Sequence, residues 1–427
     1  MEWKSHPADG TRGVGDAEES LEELSELAAS AGAVVAGRIL QSREAPAAAT
    51  LIGRGKVLEL AQLSQSADAD LVIFDHDLTP TQQRNLEHQL TRRVIDRTQL
   101  ILDIFARRAR TREGRLQVEL AQLNYLLPRL AGRGVEMSRL GGGIGTRGPG
   151  ETQLETDRRR IHRRIKKIEE DLENVRAGRA LHRQKRRSVP LPTIALVGYT
   201  NAGKSTLFNR ITDAGVLADA RMFATLDPTV RPVTLPSRRR ALVSDTVGFI
   251  RNLPTTLVKA FRATLEEVTD ATLILHVVDA AAAQASAHTA QVLKVLAEIG
   301  AAAIPQVLVL NKVDRLPEAD ADAEACRRRL LGDSGAASAS AAVAISALTG
   351  QGIGRLMAAI DQVLPFDRIV RARLALPLSE GARISMVHEL GRVLDTRYTG
   401  DTCEMDAEIP ESLHRLLASY VTDTGKS

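Results

Sequence analysis

One short run of residues restricts the possible folds of this chain more than any other. It is Gly198-Tyr-Thr-Asn-Ala-Gly-Lys-Ser205, and it lies between residues 193–197, which resemble a buried strand, and residues 205–211, which resemble a helix. Glycines let such a loop turn back so that its amide groups face a phosphate at the helix N-terminus. Lys204 adds positive charge, and Ser205 can place its hydroxyl on Mg²⁺. The run predicts a phosphate-binding loop in a doubly wound, mostly parallel α/β domain.

Three later segments favour a guanine nucleotide. An apolar stretch ends in Asp245, which would hold Mg²⁺ through a water, and the amide of Gly248 would then sense a γ-phosphate. A second apolar stretch leads into Asn311-Lys-Val-Asp314, whose carboxylate can accept from both N1–H and the amino group of guanine. Adenine lacks this pair of donors, and buried hydrogen bonds of this kind discriminate by roughly 10⁴–10⁵. Ser346-Ala-Leu348 follows a short strand, and its backbone could read guanine O6. Each segment follows a strand, so the set favours GTP over ATP.

The first switch should lie between the phosphate loop and Asp245, where a threonine completes the Mg²⁺ shell. The run Phe223-Ala-Thr-Leu-Asp-Pro-Thr229 offers Thr225 and Thr229. We favour Thr225, because Pro228 adjoins Thr229 and begins what resembles the next strand. The alternative is that both are ordinary loop threonines.

The residue after Gly248 bears on mechanism. Ras-like enzymes place a glutamine there to orient the attacking water, whereas this chain has Phe249. We therefore expect slow hydrolysis by the isolated protein and activation by a partner, since arginine fingers supplied by partners give 10³–10⁵ in rate. Asn201 resembles the asparagine of GTPases that bind K⁺ beside the phosphates, which makes K⁺ a candidate activator. The alternative is that Asn201 only stabilises its loop.

These arguments define the candidate site. Catalysis is expected to depend on Lys204, Thr225 and Gly248, and Mg²⁺ on Ser205, Thr225 and Asp245. Contacts to GTP or GDP are expected from Gly198, Tyr199, Thr200, Asn201, Ala202, Gly203, Lys204, Ser205, Thr206, Phe223, Ala224, Thr225, Asp245, Thr246, Val247, Gly248, Asn311, Lys312, Val313, Asp314, Ser346, Ala347 and Leu348.

Composition narrows the class of protein. A length of 427 residues suggests two to four domains, and no apolar run approaches the 18 residues of a membrane span. The two cysteines, Cys326 and Cys403, fit a reducing cytosol and exclude a disulfide framework or a cysteine-rich zinc site. The net charge is only +4, but basic residues concentrate between 107 and 187. We expect a cytoplasmic protein, with partial peripheral membrane association left open.

Pattern changes along the chain suggest five regions. Within the second, residues 33–40 and 71–74 resemble strands, and Thr79-Pro80 has the form of a helix start. We expect a disordered tail at 1–20, an α/β domain with a parallel sheet at 21–110, a helical hairpin at 111–190 with its tip at 131–151, the nucleotide domain at 191–365, and a small α+β domain at 366–427.

The hairpin is the region of concentrated positive charge. Leucines from Leu116 to Leu130 recur in steps of four and three, and a similar pattern continues after the glycine-rich stretch 141–150. Few acidic residues accompany the cations and only Tyr125 is near for stacking, so we expect binding to the shape and backbone of structured RNA. The simpler alternative is a solvated helix face. The candidate RNA contacts are Arg133, Arg139, Arg147, Arg158, Arg159, Arg160, Arg163 and Arg164.

The combination resembles HflX, a family of ribosome-associated GTPases. The likeness covers about residues 20–420; its most specific parts are the glycine loop Gly141-Gly-Gly-Ile-Gly-Thr-Arg-Gly-Pro-Gly150 with the residues up to 157, the switch Asp245-Thr-Val-Gly-Phe-Ile250, and the stretches 51–60, 77–87 and 94–109. The resemblance implies binding to the large ribosomal subunit, with the tip reaching ribosomal RNA near the peptidyl-transferase centre. It also implies ribosome-stimulated hydrolysis and, in some members, GTP-dependent splitting of stalled ribosomes under stress. We expect the free protein to be a monomer.

Two other functions remain open at this point. One is a GTPase that regulates a protein complex or tRNA modification, with the hairpin acting as a dimerising coiled coil. The other is ATP-driven RNA remodelling, which fits the residues poorly. A separate ATPase activity of the N-terminal domain has no support either, because the stretch 53–55 is too short for a second phosphate loop.

Overall fold

The computed structural model describes residues 10–43, 45–130, 149–187, 191–212, 222–223, 225–251, 267–317, 326–328, 330, 339–364 and 367–423. Its main helices are α1 Gly10–Ser30, α2 Arg54–Ser66, α3 Pro80–Leu90, α4 Arg97–Arg108, α5 Arg112–Leu130, α6 Pro149–Arg187, α7 Lys204–Thr212, α8 Ala285–Glu298, α9 Ile353–Val363, α10 Gly381–Leu390 and α11 Glu411–Leu416. Its strands are β1 Leu71–Phe74, β2 Arg93–Asp96, β3 Thr193–Gly198, β4 Thr229–Thr234, β5 Arg240–Asp245, β6 Leu273–Asp279, β7 Gln306–Asn311, β8 Ala339–Ala344, β9 Ile369–Pro377, β10 Arg392–Thr399, β11 Thr402–Pro410 and β12 Val421–Asp423.

The N-terminal region contains a parallel pair of strands, β1 and β2, packed against helices. Thr79 caps α3 as expected: its hydroxyl accepts from the Gln82 amide, the Gln82 side chain accepts from the Thr79 amide, and Pro80 occupies the first turn. The backbone amides of Thr79 and Gln82 thereby gain hydrogen-bond acceptors, and Pro80 has no amide hydrogen to satisfy. The short sequence signal therefore locates the start of the helix correctly.

Two expectations for this region are wrong. Residues 33–40 form no strand, and Val34 is 94% exposed, because the segment has no neighbouring strand among the described residues to supply ladder hydrogen bonds. Of the expected disordered tail, residues 1–9 lie outside the described residues, and residues 10–20 belong to α1 instead. Leu24 and Leu27 of that helix are buried against α4, and this packing stabilises a helix that its acidic sequence alone did not indicate.

Helices α5 and α6 form the expected antiparallel hairpin. Leu116 packs against Ile168 and Leu172, while Glu119 binds Arg164 nearer the tip. The predicted tip lies largely outside the described residues, at 131–148. Helix α6 begins at Pro149, so the end of the predicted glycine tip belongs to a helix; proline is well suited to a first helical turn.

The nucleotide domain is built on a six-stranded sheet in the order β4-β5-β3-β6-β7-β8. Strand β4 runs antiparallel to β5, and all the other pairings are parallel. Strands β6 and β7 are buried almost throughout, as expected of a sheet covered by helices on both faces. The predicted α/β class is confirmed, and the loops that follow β3, β5 and β7 lie at the same edge of the sheet.

The C-terminal region is a four-stranded antiparallel sheet in the order β10-β11-β9-β12. Alternate residues of β9 and β11 are buried together with residues of α10 and α11, which gives this small α+β unit its own core. Among the described residues, no helix combines the length and apolar character needed to cross a membrane.

Candidate guanine-nucleotide site

The phosphate loop joins β3 to α7 in a tightly packed turn. Gly203 has a φ of +91°, and a Cβ added there would lie 2.3 Å from the Asn311 amide nitrogen. A Cβ on Gly198 would lie 2.1 Å from the carbonyl oxygen of Val277 in β6. Both positions therefore require glycine: the first for conformation and space, and the second for the close approach of neighbouring backbone.

Lys204 is buried at the centre of this loop. Its ammonium group donates to the carbonyl oxygens of Gly198 at 3.1 Å and Tyr199 at 2.7 Å. Burial lowers the pKa of Lys204 to about 8, with a smaller contribution from Lys312, although Asp245 opposes the shift. Placing a phosphate beside the ammonium would favour its charged form, so the pocket is arranged for an anion.

Three predicted metal-binding side chains meet beside Lys204. The Ser205 and Thr225 hydroxyls are 2.8 Å apart, and each lies 2.7 Å from the same oxygen of the Asp245 carboxylate. Burial raises the pKa of Asp245, and its second oxygen is buried without a hydrogen-bond partner among the described residues. Three converging oxygens with unused acceptor capacity fit Mg²⁺, which prefers oxygen ligands. Thr229, the alternative, instead begins β4.

The loops expected to hold the base are joined by Asn311. Its side-chain oxygen accepts from the Ala347 amide at 2.9 Å, and its side-chain nitrogen donates to the Ala202 carbonyl at 2.8 Å. Lys312 pairs with Asp279 at 2.7 Å, while the Asp314 side chain is exposed. One buried amide thus connects the phosphate loop with the loops of both base-reading segments.

The other predicted contacts are distributed around this cluster. A Cβ on Gly248 would lie 2.9 Å from Lys204 Nζ, so Gly248 lies against the phosphate loop. Phe249 is buried in the core beside Tyr199 and cannot act as a glutamine substitute. Ala224 lies outside the described residues. Thr200, Thr246, Val313, Ser346 and Ala347 are buried, Thr206 and Val247 half-buried, and Asn201 and Leu348 exposed.

Sequence reasoning missed several polar residues around the site. The Tyr199 hydroxyl donates to Glu23 of α1 at 2.5 Å and accepts from the Arg251 amide at 2.7 Å. Arg97 donates to Glu23 and to the Arg251 carbonyl, which connects the second switch with the N-terminal region. A lone tyrosine in a phosphate loop gives no local signal of a partner 176 residues earlier in the chain.

A second missed group joins the base-reading loop to α7. Arg210 donates from Nε to the Ala347 carbonyl at 3.2 Å and from a terminal nitrogen to the Leu348 carbonyl. Nothing in its sequence context distinguishes it from an ordinary exposed arginine, because its acceptors are backbone atoms of a distant loop.

A cavity of about 290 Å³ separates α1 from the outer side of the phosphate loop. Thr200 and Asn201 line one side, and four glutamates of α1 line the other: Glu19, Glu22, Glu23 and Glu26. Burial, with Glu22 and Glu23 adding to it, raises the pKa of Glu26. Together with Asp279 these glutamates outnumber Arg251, the cationic side chain of the lining, so the cavity is electronegative and favours cations over anions.

The predicted RNA contacts divide into three groups. Arg133, Arg139 and Arg147 lie outside the described residues, and Arg158, Arg159, Arg160 and Arg163 are exposed along α6. Arg164 is exposed too, but its guanidinium binds both oxygens of Glu119 and so connects the two hairpin helices. Tyr125 is not available for stacking on bases, because it is buried and donates to Asp96 at 2.8 Å.

Comparison with known proteins identifies the family. The chain is 44% identical to the GTPase HflX of Caldanaerobacter subterraneus subsp. tengcongensis over 95% of its own length and 90% of the relative's. The chain belongs to the GTPase HflX family. It is also 48% identical to the Escherichia coli K12 GTPase HflX, over 87% of this chain and 85% of that one, and 56% identical to that of Alkalihalophilus pseudofirmus, over 70% of each.

Family models match the HflX chain in consecutive segments. Residues 18–106 match "GTP-binding GTPase N-terminal", 108–186 "GTP-binding GTPase Middle Region", 193–312 "50S ribosome-binding GTPase", and 261–366 "Elongation factor Tu GTP binding domain". Among solved structures, it is similar to a GTP-binding protein of Sulfolobus solfataricus in complex with GDP, at 24% identity and a TM-score of 0.45 over 82% of this chain and 96% of that one. As an HflX member the chain is a GTPase that binds guanine nucleotides.

Proposed function

We propose that this HflX GTPase binds the large ribosomal subunit through its hairpin and uses GTP hydrolysis to limit the time it stays bound, acting in the splitting or rescue of stalled ribosomes under stress. The observation that carries the proposal is the exposed basic face of α6, where Arg158, Arg159, Arg160 and Arg163 lie together. Arg159 and Arg160 pair with Glu155 and Asp157 of the same helix, and such solvent-exposed pairs contribute little to stability. A polyanion can therefore replace Glu155 and Asp157 as partner of these arginines at a small cost in free energy. The description of the model matched by residues 193–312 supports the same partner.

The nucleotide site would determine how long the protein stays bound to the subunit. Lys204 would bind the phosphates, and the amides of the loop 198–205 would surround them. Ser205, Thr225 and Asp245 would hold Mg²⁺, which when bound neutralises charge developing on the phosphate oxygens. Thr225 lies beside Ser205 and Asp245, and Gly248 lies beside Lys204, so a bound γ-phosphate with Mg²⁺ would hold both switch segments in this arrangement.

Hydrolysis by the free protein is expected to be slow. Phe249 is buried, so the position after Gly248 offers no group that orients water. We therefore propose that the ribosome, with its RNA or proteins, completes the site, and that the chain acts in the cytoplasm.

The hairpin geometry weighs against the alternative of a dimeric regulator of a protein complex or of tRNA modification. Three of the apolar residues that could form an intermolecular coiled coil, Leu116, Ile168 and Leu172, are instead buried together within the chain. We propose that the free protein is a monomer.

Co-sedimentation with purified large subunits tests the proposal. The form bound to a GTP analogue should sediment with the subunits more tightly than the GDP form. Replacing Arg158, Arg159 and Arg163 together by Gln should weaken binding and reduce the slope of log affinity against log salt by about 2, if each contacts one phosphate. Arg164 is left unchanged because it holds the hairpin together.

The matched control changes three exposed arginines of the C-terminal sheet, Arg373, Arg392 and Arg397, to Gln. This variant alters net charge equally and should retain most of the wild-type affinity. Equal affinity of both nucleotide forms, or equal losses in the two triple variants, would contradict the proposal.

The exposed Asn201 is the proposed determinant of K⁺ activation. It has a φ of +60° and borders the electronegative cavity beside the phosphate loop. We expect GTP turnover to be faster in K⁺ than in Na⁺ at equal ionic strength, and Asn201→Ala to remove the difference. Asparagine also tolerates this backbone conformation well, so equal turnover in the two salts would assign it a purely conformational role.

A further inference from the structure

Asp227, in the first switch, binds the start of the hairpin. One carboxylate oxygen accepts from the backbone amides of Arg110 at 2.8 Å and Thr111 at 2.9 Å. The other accepts from the Thr111 hydroxyl. These contacts connect residues more than 100 positions apart in the sequence, one in the nucleotide domain and the others at the N-terminus of α5.

Thr111 is the residue that caps α5. Its hydroxyl oxygen accepts from the Gly114 amide at 3.0 Å, in the usual geometry of a threonine at a helix start. Asp227 therefore holds the capping residue by its backbone and its side chain at once. The carboxylate also lies near the amide end of the helix dipole, where negative charge is favourable.

Gly114 leaves the space that Asp227 occupies. A Cβ at this position would lie 2.4 Å from the Asp227 carboxylate and 3.1 Å from the Thr111 hydroxyl. Gly114 is in the first turn of a helix, where glycine is intrinsically unfavourable compared with alanine. The close approach of Asp227 gives this glycine a physical reason.

The switch segment around Asp227 contacts two parts of the molecule, the proposed Mg²⁺ site and the core that includes α4. Thr225, two residues earlier, contacts Ser205 and Asp245 at the proposed Mg²⁺ site. Phe223 and Leu226 instead belong to a core shared with α4, where the Phe223 ring meets Phe105 edge-on with centroids 4.6 Å apart. Described residues within the five positions 223–227 thus contact both the nucleotide site and the base of the hairpin.

We propose that Asp227 is a positioning residue that transmits the nucleotide state from Thr225 to the first turn of α5, an inference that rests on the proposed role of the hairpin in ribosome binding. Two residues span at most about 7 Å, so Thr225 and Asp227 cannot move independently over larger distances. When Thr225 is held in the metal shell, Asp227 holds the cap of α5. When Thr225 leaves, the carboxylate is withdrawn and the first turn loses this support.

Hydrogen exchange of the full-length protein tests the proposal. The amides of residues 112–116 are compared in the GTP-analogue and GDP forms of wild type, Asp227→Ala, Asp227→Asn and Gly114→Ala. In wild type the GTP-analogue form should be more protected by about five-fold, the effect of a helix cap. Asp227→Ala should remove the difference, and Asp227→Asn, which keeps one acceptor oxygen, should retain part of it.

Gly114→Ala separates transmission from simple helix stability. If Asp227 only stabilised the helix, Gly114→Ala would change the protection of both nucleotide forms by the same amount, because alanine's helix preference and the loss of Asp227 would act equally in both. Our proposal predicts loss of the difference between the forms, because the added Cβ displaces Asp227. The matched control is Asp361→Ala, since Asp361 likewise accepts from a backbone amide and hydroxyl, those of Ser237, far along the chain from the hairpin.

The control should keep the wild-type difference and bind both nucleotides as wild type does, whereas Asp227→Ala should lower the affinity for GTP analogue relative to GDP by at most about five-fold, because coupling between two sites is reciprocal. A wild-type difference of zero, or a full difference in Asp227→Ala, overturns the proposal. Subunit co-sedimentation separates the two hypotheses: wild type that fails to bind large subunits refutes the ribosomal function, whereas the exchange difference decides the role of Asp227 on its own.

Discussion

Asp314→Asn is expected to change the nucleotide preference of this GTPase from guanine to xanthine. Guanine presents two donors to the carboxylate, whereas an asparagine amide offers one acceptor and one donor. Xanthine has a carbonyl in place of the amino group and matches that amide. The ratio of GTP to xanthosine triphosphate affinity should fall by about 10⁴, the penalty for leaving buried polar groups unpaired.

Competition binding with GTP, xanthosine triphosphate and ATP measures this change. Asp68→Asn, at an exposed aspartate of the N-terminal region, serves as the matched control and should leave the preference unaltered. If the variant does not gain affinity for xanthosine triphosphate, Asp314 does not contact the base. The same conclusion follows if the substitution leaves the ATP affinity unchanged and ATP binds more tightly than GTP.

Arg97→Ala should be the most destabilising of the charge substitutions considered. Arg97 is 2% exposed and donates to Glu23 and Asp75, each at 2.7 Å. Truncation leaves two largely buried carboxylates without their shared partner, which typically costs about 3–5 kcal/mol. The loss should appear in the opening free energy of the β2 amides, measured by hydrogen exchange.

Two further variants test whether the loss of stability comes from the buried ion pairs of Arg97. Arg92→Ala removes a more exposed arginine, whose 3.5 Å contact to Asp68 should be worth at most about 1 kcal/mol. Arg97→Lys keeps the charge but lacks the planar fork that reaches two acceptors, so it should give an intermediate loss. Similar opening free energies for Arg97→Ala and Arg92→Ala would show that the buried network contributes little.

The parts of the fold that local chemistry specifies could be predicted from the sequence. The phosphate loop follows from glycines, Lys204 and Ser205 between a strand and a helix, and the α3 start follows from Thr79 and Pro80. The hairpin follows from regular leucine spacing. The choice of Thr225 over Thr229 stays a prediction about function, but the structure places Thr225 alone of the two beside Ser205 and Asp245.

The remaining features depend on contacts between distant segments. Helix α1 is stabilised by burial of Leu24, Leu27 and Ala28 against α4, and residues 33–40 would need a neighbouring strand that sequence alone cannot supply. Tyr125 resembled an exposed aromatic, yet it is buried with its hydroxyl on Asp96. Local propensity could not reveal these partners, because tertiary contacts override it.

The core shared between α4 and the switches also has a consequence for biosynthesis. Phe223, Leu226 and Ile250 pack on Phe105 and its neighbours, although they are translated more than 100 residues later. A nascent chain that has released only its N-terminal portion must expose that apolar surface until the later residues emerge. During this interval the surface is open to misassociation, so completion of the N-terminal domain waits on translation of the nucleotide domain.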